Sequence, residues 1–401
     1  MKRFIYLFCF ISFFNFVSVL QQIIYFNSII KYVVPVLFFV SALTLYLKSK
    51  PSWLINNTDK VIYYLFSSFT FFLLIDSIRF EVFYLQEFFV GELYLFPYLL
   101  PIFMLNITID SFNLKLYLSI IKKLLLPGIF ILFVIIFNLN FENWYFHVHL
   151  YELLLFGFPI LFLLLNFFSN KRIKISLYII FILILFIASY YGRRSLFGDI
   201  VLLFGFRQLI KISSETISKF SMALKFSFLF LMIIPVILLY SENIFQLSVF
   251  QRGLNKEGWE ESRGQVLEEF FSDFGSAKDW IIGRGLNGTV RRTLGGANEE
   301  GQGRGIENGF LMLILKGGNL YFFFVLYFFL RAFYLGWFKS NNDFTKAFSA
   351  LLLIHLLGMI GFNIPIFNHR YMLLWLAIPI CFSMYYRGLS NQQVKELIIP
   401  R

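Results

Sequence analysis

Charge is what this chain has least of. Asp, Glu, Lys and Arg fill 14% of its 401 positions, against 59% for the hydrophobic types; a soluble domain carries about a quarter charged residues. An ordinary water-soluble globule is excluded. Cysteine is scarce too, and Cys9 and Cys381 both fall inside long apolar runs. The hydrophilic segments therefore hold no disulfide framework, and redox chemistry is not expected. Also missing are an H-x-x-x-H pair, any His/Cys cluster at metal-ligand spacing, an Asp-x-Asp pair and a G-x-x-x-x-G-K-[ST] loop. Those absences argue against a metal site, a cofactor, a metal-dependent nucleotide-sugar transferase and an ATPase.

What is present is a succession of apolar runs, each near the roughly 20 residues that cross a hydrocarbon core. They predict an all-α polytopic integral membrane protein with about twelve spans, at 4–25, 29–47, 61–78, 88–106, 124–140, 150–168, 175–191, 196–210, 223–241, 308–333, 345–362 and 371–386. Met1-Lys2-Arg3 and the run behind it resemble a signal peptide, but no small-residue cleavage site follows, so the run reads as the first span. The formal charge of +12 comes from Lys and Arg scattered between the runs rather than clustered on one face. They are topology signals, and a nucleic-acid partner is not implied.

With both termini cytoplasmic, every inner segment is Lys- or Arg-bearing, as the positive-inside rule requires. The outer segments are then 79–87, 141–149, the turn at Gly192-Arg193-Arg194, a long loop and 363–370. This divides the chain into helices one to nine (1–241), a large extracytoplasmic loop (242–306), helices ten to twelve (307–386) and a cytoplasmic tail (387–401). The loop is dense in glycine and in charges of both signs, the composition of a separate functional element. Within it Trp259, Arg263, Leu267, Phe270 and Phe274 recur at helical spacing, which predicts an amphipathic helix ending at Gly275 with Arg263 on its apolar stripe. GRGLNGT and GGANEEGQGRG behind it read as irregular backbone that can approach a ligand, though GRGLNG alone is too generic to be a phosphate loop.

Few side chains qualify for chemistry. Arg263 is either a snorkelling anchor at the membrane surface or a planar, bidentate ligand for an anion such as a phosphate. Arg193 and Arg194 lie at an outer helix end against the charge rule, as interfacial anchors or as ligands of a lipid-linked anion. Glu307 and Asn308, three and four residues after Arg304, open a span. Helix-start chemistry accounts for both, yet a carboxylate beside arginines can also act as a general base. Arg284 is a further possible anion ligand, and Asn368-His369-Arg370-Tyr371 on the last outer loop offers another base beside another cation. Asp76, Asp199 and Arg331 are the few charges in or near spans.

Taken in order, Tyr-Gly-Arg193-Arg194-Ser, then Arg263 opening SRGQVLEEFFSDF, then IIGRGLN, then Glu307-Asn308-Gly-Phe-Leu running into Lys-Gly-Gly resemble the O-antigen polymerase and O-antigen ligase superfamily over roughly residues 180–335. In the ligase branch a His stands where Glu307 does here, so the resemblance points to the polymerase branch. It implies an enzyme of the bacterial inner membrane that needs no metal or cofactor and joins undecaprenyl-diphosphate-linked oligosaccharides into O-antigen, capsular or exopolysaccharide chains. A flippase and a chain-length regulator of the same pathway are the implied partners. Under that reading Glu307 is the catalytic base, acting with Arg263, and Arg193, Arg194, Arg263, Arg304 and Arg370 hold the diphosphate, while Asn308, His369 and Arg284 are further possible site residues. A ligase that transfers glycan to a lipid A-core acceptor is one alternative. A lipid-linked sugar flippase is another, although such folds place more ionisable groups inside their spans and show repeat symmetry.

Overall fold

The structure, a computed structural model, describes residues 56–77, 93–106, 109–137, 154–191, 194–214, 265–291, 302–303, 306, 308–360 and 364–399. These residues are mostly helical. Four of their helices are long and apolar enough to cross a bilayer, and the chain is accordingly a membrane protein. They are α1 (Asn57–Asp76), α3 (Ser111–Phe137), α5 (Lys171–Tyr190) and α9 (Gly309–Phe338). The expected spans 4–25, 29–47 and 223–241 lie outside the described residues, as do Trp259 and Arg263.

Polar side chains set the helix starts. Asn56 accepts from the Thr58 amide ahead of α1, and Asn170 from the Arg172 amide ahead of α5. Asn308 accepts from the Phe310 and Leu311 amides ahead of α9. Asn342 caps α10 (Asp343–Met359), and Asn368 caps α11 (His369–Phe382). In each case an orphan N–H gains an acceptor before the apolar run begins.

Two expected spans differ in form. The run expected at 124–140 is the tail of the longer α3, which starts at Ser111 and carries Lys115, Lys122 and Lys123 in its first half. The run expected at 150–168 is not one helix over its described part. The short α4 (Phe158–Leu163) follows a turn at Phe156-Gly157, with Pro159 in its first turn, and a 3-10 turn at Leu165–Phe167 ends it. Gly157 is pressed against Ile121, whose Cγ2 would lie 2.0 Å from an added Cβ. The backbone there sits against α3, where no side chain fits.

The core forms where α9, α10 and α11 pack on one another and on α1 and α2 (Leu95–Asn106), with Phe66, Phe329 and Trp375 fully enclosed. Phe66 stacks on Trp375 with ring centres 6.0 Å apart, and Phe329 meets the same indole edge-on at 5.4 Å. On the other flank α6 (Arg194–Ser214) packs on α10, α5 and α4. The opposite faces of the long helices are apolar and exposed at Ile75, Leu126, Phe130, Phe137, Ile182 and Phe323, which suits acyl chains and not water.

The predicted amphipathic helix is present as α7 (Gln265–Asp273), ending two residues before Gly275. Phe270 and Phe274 are buried as the spacing requires, whereas Leu267 is 39% exposed and faces off the stripe. A short α8 (Ala277–Ile282) and a two-residue antiparallel pairing, β1 (Val290–Arg291) with β2 (Gln302–Gly303), complete this part. Phe270, Phe274 and Val290 close a second apolar cluster with Ile306, Leu311, Ile314 and Leu315 of the approach to α9 and its first turns. The segment after α7 is therefore docked onto the start of α9.

Candidate functional site

The docking point is a break in α9. Gly318 has φ 65° and ψ −174°, so the helix interrupts after Lys316-Gly317 and resumes beyond it. Leu315 loses its helical acceptor role there, and its carbonyl takes the Arg284 amide instead at 2.8 Å. A backbone group freed within a helix long enough to span a bilayer is satisfied in this way rather than left bare. Gly283, with φ 76°, comes so close that its missing Cβ would lie 2.6 Å from the Gly318 amide nitrogen. Two positive-φ glycines thus let backbone meet backbone. The buried Lys316 ammonium donates to the Gly288 carbonyl at 2.8 Å and sits over the Tyr94 ring. From the other side Ser77, at the end of α1, accepts from the Leu286 amide through Oγ, and its carbonyl accepts from Asn287 Nδ2.

Arg284 is the hub of this segment. Its guanidinium binds Asp273 Oδ2 at 2.6 Å, Asp279 Oδ2 at 3.0 Å and the carbonyls of Asp273 and Thr289, and it lies over the Phe274 ring. Burial works to raise the Asp273 pKa, but the hydrogen bonds from Arg284 and from the Arg291 amide outweigh it and hold the carboxyl below its ordinary value. Burial likewise opposes the charge on Arg284, and its two carboxylate partners more than restore it. Arg284 is thus turned onto the protein's own carboxylates, and the anion-ligand role considered for it has no guanidinium edge set aside for a diphosphate.

A second polar group lies between α6, α10 and α11. Asp199 of α6 is buried and pairs with Arg370 Nη2 of α11 at 2.5 Å. Both line a cavity of about 50 Å³ together with His355 of α10, under walls that include Phe156, Leu203 and Leu374. His355 is 6% exposed, and its Nδ1 makes no hydrogen bond among the described residues. His369 takes a different direction from its neighbour Arg370. It is 1% exposed, with its ring stacked on Phe156 at 4.4 Å between centres. A base on an open outer loop does not describe it. The exposed member of that pair is Arg370, whose side chain keeps 32% of its surface.

The remaining expectations divide between placed and outside. Asn308 caps α9, as helix-start chemistry predicts, and its Nδ2 donates to the Ile360 carbonyl just past α10 at 3.0 Å. Arg194 is the first residue of α6. Arg193, Arg263, Arg304 and Glu307 lie outside the described residues. The starts of α6, α9 and α11 and the end of α10 therefore meet at one end of the bundle, through the Asp199–Arg370 pair, the shared cavity and the Asn308 bond. Sequence reasoning missed Lys316 and His355. The signal for Lys316 was a lone cation in the middle of an apolar run followed by Gly-Gly; for His355 there was none beyond its place inside a span.

Among the described residues no three of His, Cys, Asp and Glu come together as a metal ligand set. No family model, no curated protein and no solved structure matches the chain.

Proposed function

We propose that this chain is a membrane-embedded polymerase that joins undecaprenyl-diphosphate-linked oligosaccharide units into a polysaccharide at the outer face of a bacterial inner membrane. The observation that carries the reading is the convergence just described. Elements far apart in sequence, bearing Arg194, Asn308 and Arg370, meet at one bundle end, the end the charge pattern expects to face out. Glu307 directly precedes the Asn308 cap in the chain. A sugar on a lipid diphosphate already has a good leaving group, so the protein's part is to position an acceptor hydroxyl, take its proton and stabilise charge on the departing diphosphate. On this proposal the arginines take the last task, and Glu307, next to the Asn308 cap in the sequence, takes the second. The test is Glu307→Gln as the sole copy in cells. Polymer should fall by about 10²–10⁴-fold, as for removal of a general base, with single repeat units accumulating at unchanged protein level. A full ladder of long chains on a gel would reduce Glu307 to helix-start electrostatics.

A second reading, transport of a lipid-linked sugar, is favoured by one observation. A helix broken at membrane depth beside a buried Lys316 is the kind of element around which transporters build substrate sites. Purified protein in liposomes loaded with the lipid-linked unit separates the two: the polymerase lengthens chains, whereas a transporter moves single units across the bilayer.

A further inference from the structure

Beyond the Gly318 break, Phe323, Leu326, Tyr327, Leu330, Arg331 and Tyr334 recur at helical spacing and so share one side of α9. They line an open groove of about 460 Å³ that follows the helix for about 16 Å, at about 1.5 Å per residue. Phe323, Leu330 and Tyr334 are exposed in it. Arg331 is the one charged residue of the six. Its carboxylate partner is Asp59 of α1, which is buried and already accepts from the Tyr327 hydroxyl through Oδ1. That oxygen lies 3.7 Å from Arg331 Nε, too far for a hydrogen bond. Nε is enclosed on that side, yet 33% of the side chain is exposed, and no hydrogen bond from its terminal nitrogens is found among the described residues.

A guanidinium carries five N–H donors in a planar fork, and beside hydrocarbon it is unfavourable without an acceptor. The neighbouring charges at this end of α9 are of the same sign. Lys339 Nζ lies over the Tyr334 ring at 5.9 Å, and Arg387 donates to the Lys339 carbonyl at 3.3 Å and is close enough to Arg331 for the two to repel. An apolar groove thus runs into an anion-binding fork with further cations beside it. We propose that the groove holds an anionic phospholipid of the bilayer, with an acyl chain along Phe323, Leu326 and Leu330 and the phosphate on the terminal nitrogens of Arg331. Asp59 fixes the guanidinium from its Nε side and leaves the fork to the headgroup. The occupant is a lipid and not a free phosphate, because an inorganic ion leaves the apolar length of the groove bare. This goes beyond the reaction proposed above and does not depend on it, since the Gly318 break separates the groove from the Asn308 cap.

The test places the full-length protein in phosphatidylcholine nanodiscs doped with phosphatidylglycerol that carries a diazirine on its acyl chain, or with an equal amount of the choline-headed analogue. After photolysis, mass spectrometry reads label at 323–334 relative to label at 126–137 of α3, an uncharged stretch with exposed apolar residues. That ratio should be about fivefold higher for the glycerol headgroup, the preference that one cation near the surface gives. Arg331→Gln should remove most of it. Because that change leaves Asp59 without its counter-charge, the double variant Asp59→Asn with Arg331→Gln is measured too and should also lack the preference, while Asp59→Asn alone should keep it. Full preference in the double variant, or its loss in Asp59→Asn with α3 labelled as in the wild type, would make Arg331 a counter-ion of Asp59 only and overturn the proposal. Equal ratios for the two lipids in the wild type would reduce the groove to ordinary boundary lipid and overturn it as well. No label at 323–334 with either lipid would mean that another protein surface, such as a second copy of the chain, covers the groove, with the same consequence. Excess inorganic phosphate, compared with chloride at matched ionic strength, should leave the ratio unchanged; collapse of the ratio would assign the fork to the free ion and refute the lipid site.

Discussion

Replacing Gly318 by Ala should undock the segment after α7 and leave the helical core in place. The added Cβ would lie 2.2 Å from the Ile281 carbonyl oxygen and 2.3 Å from its carbon, both backbone atoms that cannot rotate away. The residue's φ of 65° with ψ of −174° is a conformation almost reserved for glycine, worth about 1–3 kcal/mol against any other residue. Relief requires α8 and the turn behind it to retreat, which breaks the Arg284 amide bond to Leu315 and the Lys316 ammonium bond to Gly288. Those are worth about 1 and about 1.5–3 kcal/mol, so the whole perturbation is roughly 3–7 kcal/mol. Burial of Phe270 and Phe274, which holds the segment down, contributes about 1.5–3 kcal/mol for each ring. The two sides are comparable, and docking is lost or nearly so. Phe66, Phe329 and Trp375 belong to the other apolar cluster, so the bundle should insert normally. Hydrogen exchange read by mass spectrometry on peptides covering 276–291 should accelerate by at least about 10²-fold, each 1.4 kcal/mol being a factor of ten. Gly205→Ala is the control, since nothing lies within 4 Å of its Cβ position. Unchanged protection in the Gly318 variant would refute the backbone-on-backbone account of the break.

Two further outcomes follow from charge. Asp273 has a pKa below its ordinary value in the folded protein, so its stabilisation of the segment is complete above the unfolded carboxylate value of about 3.9 and is lost as pH falls through the lower folded one. Protection of 276–291, taken relative to the intrinsic exchange rate at each pH, should therefore fall below about pH 3.9 in the wild type, and Asp273→Asn should be poorly protected already at neutral pH; a flat wild-type protection profile would contradict the Arg284 hub. On the polymerase proposal, Arg263→Lys should impair polymer assembly nearly as much as Arg263→Ala, because a point charge does not replace the planar fork that the proposal sets on a diphosphate, and full activity of the Lys variant at normal protein level would return Arg263 to a surface anchor.

The helices were legible because their two signals are local. A run of apolar residues and a capping Asn are written in consecutive positions, so α1, α5, α9, α10 and α11 begin within a few residues of where the apolar pattern places them. The departures arise where a non-local contact decides. Nothing within 150–168 announces that Gly157 must sit against Ile121, and that contact, with Pro159 close behind, accompanies the turn that interrupts the run. Leu267 matches the stripe by spacing but lies too far round the helix to reach the cluster that Phe270 and Phe274 fill.

The site was legible to a lesser degree, and for a related reason. Spacing marks which polar residues stand at helix ends, and Asn308 and Arg370 are found at such ends. It does not say which partner each meets. Arg284 and Arg370 carry the same side chain and both qualified as anion ligands, yet one is engaged by Asp273 and Asp279 within its own segment and the other by Asp199 across 171 positions. GRGLNG is generic as a string and decisive as a structure, because its value depends on Lys316-Gly317-Gly318 breaking a helix about thirty residues further on. A glycine-rich turn and a broken helix each leave backbone polar groups without partners, and in a membrane neither defect is tolerable alone. Brought together they satisfy each other, as the Arg284–Leu315 and Lys316–Gly288 bonds do here. The pairing of two local irregularities is thus the feature to look for in a chain of apolar helices, and it also explains how a segment this polar is held against a helix long enough to span a bilayer.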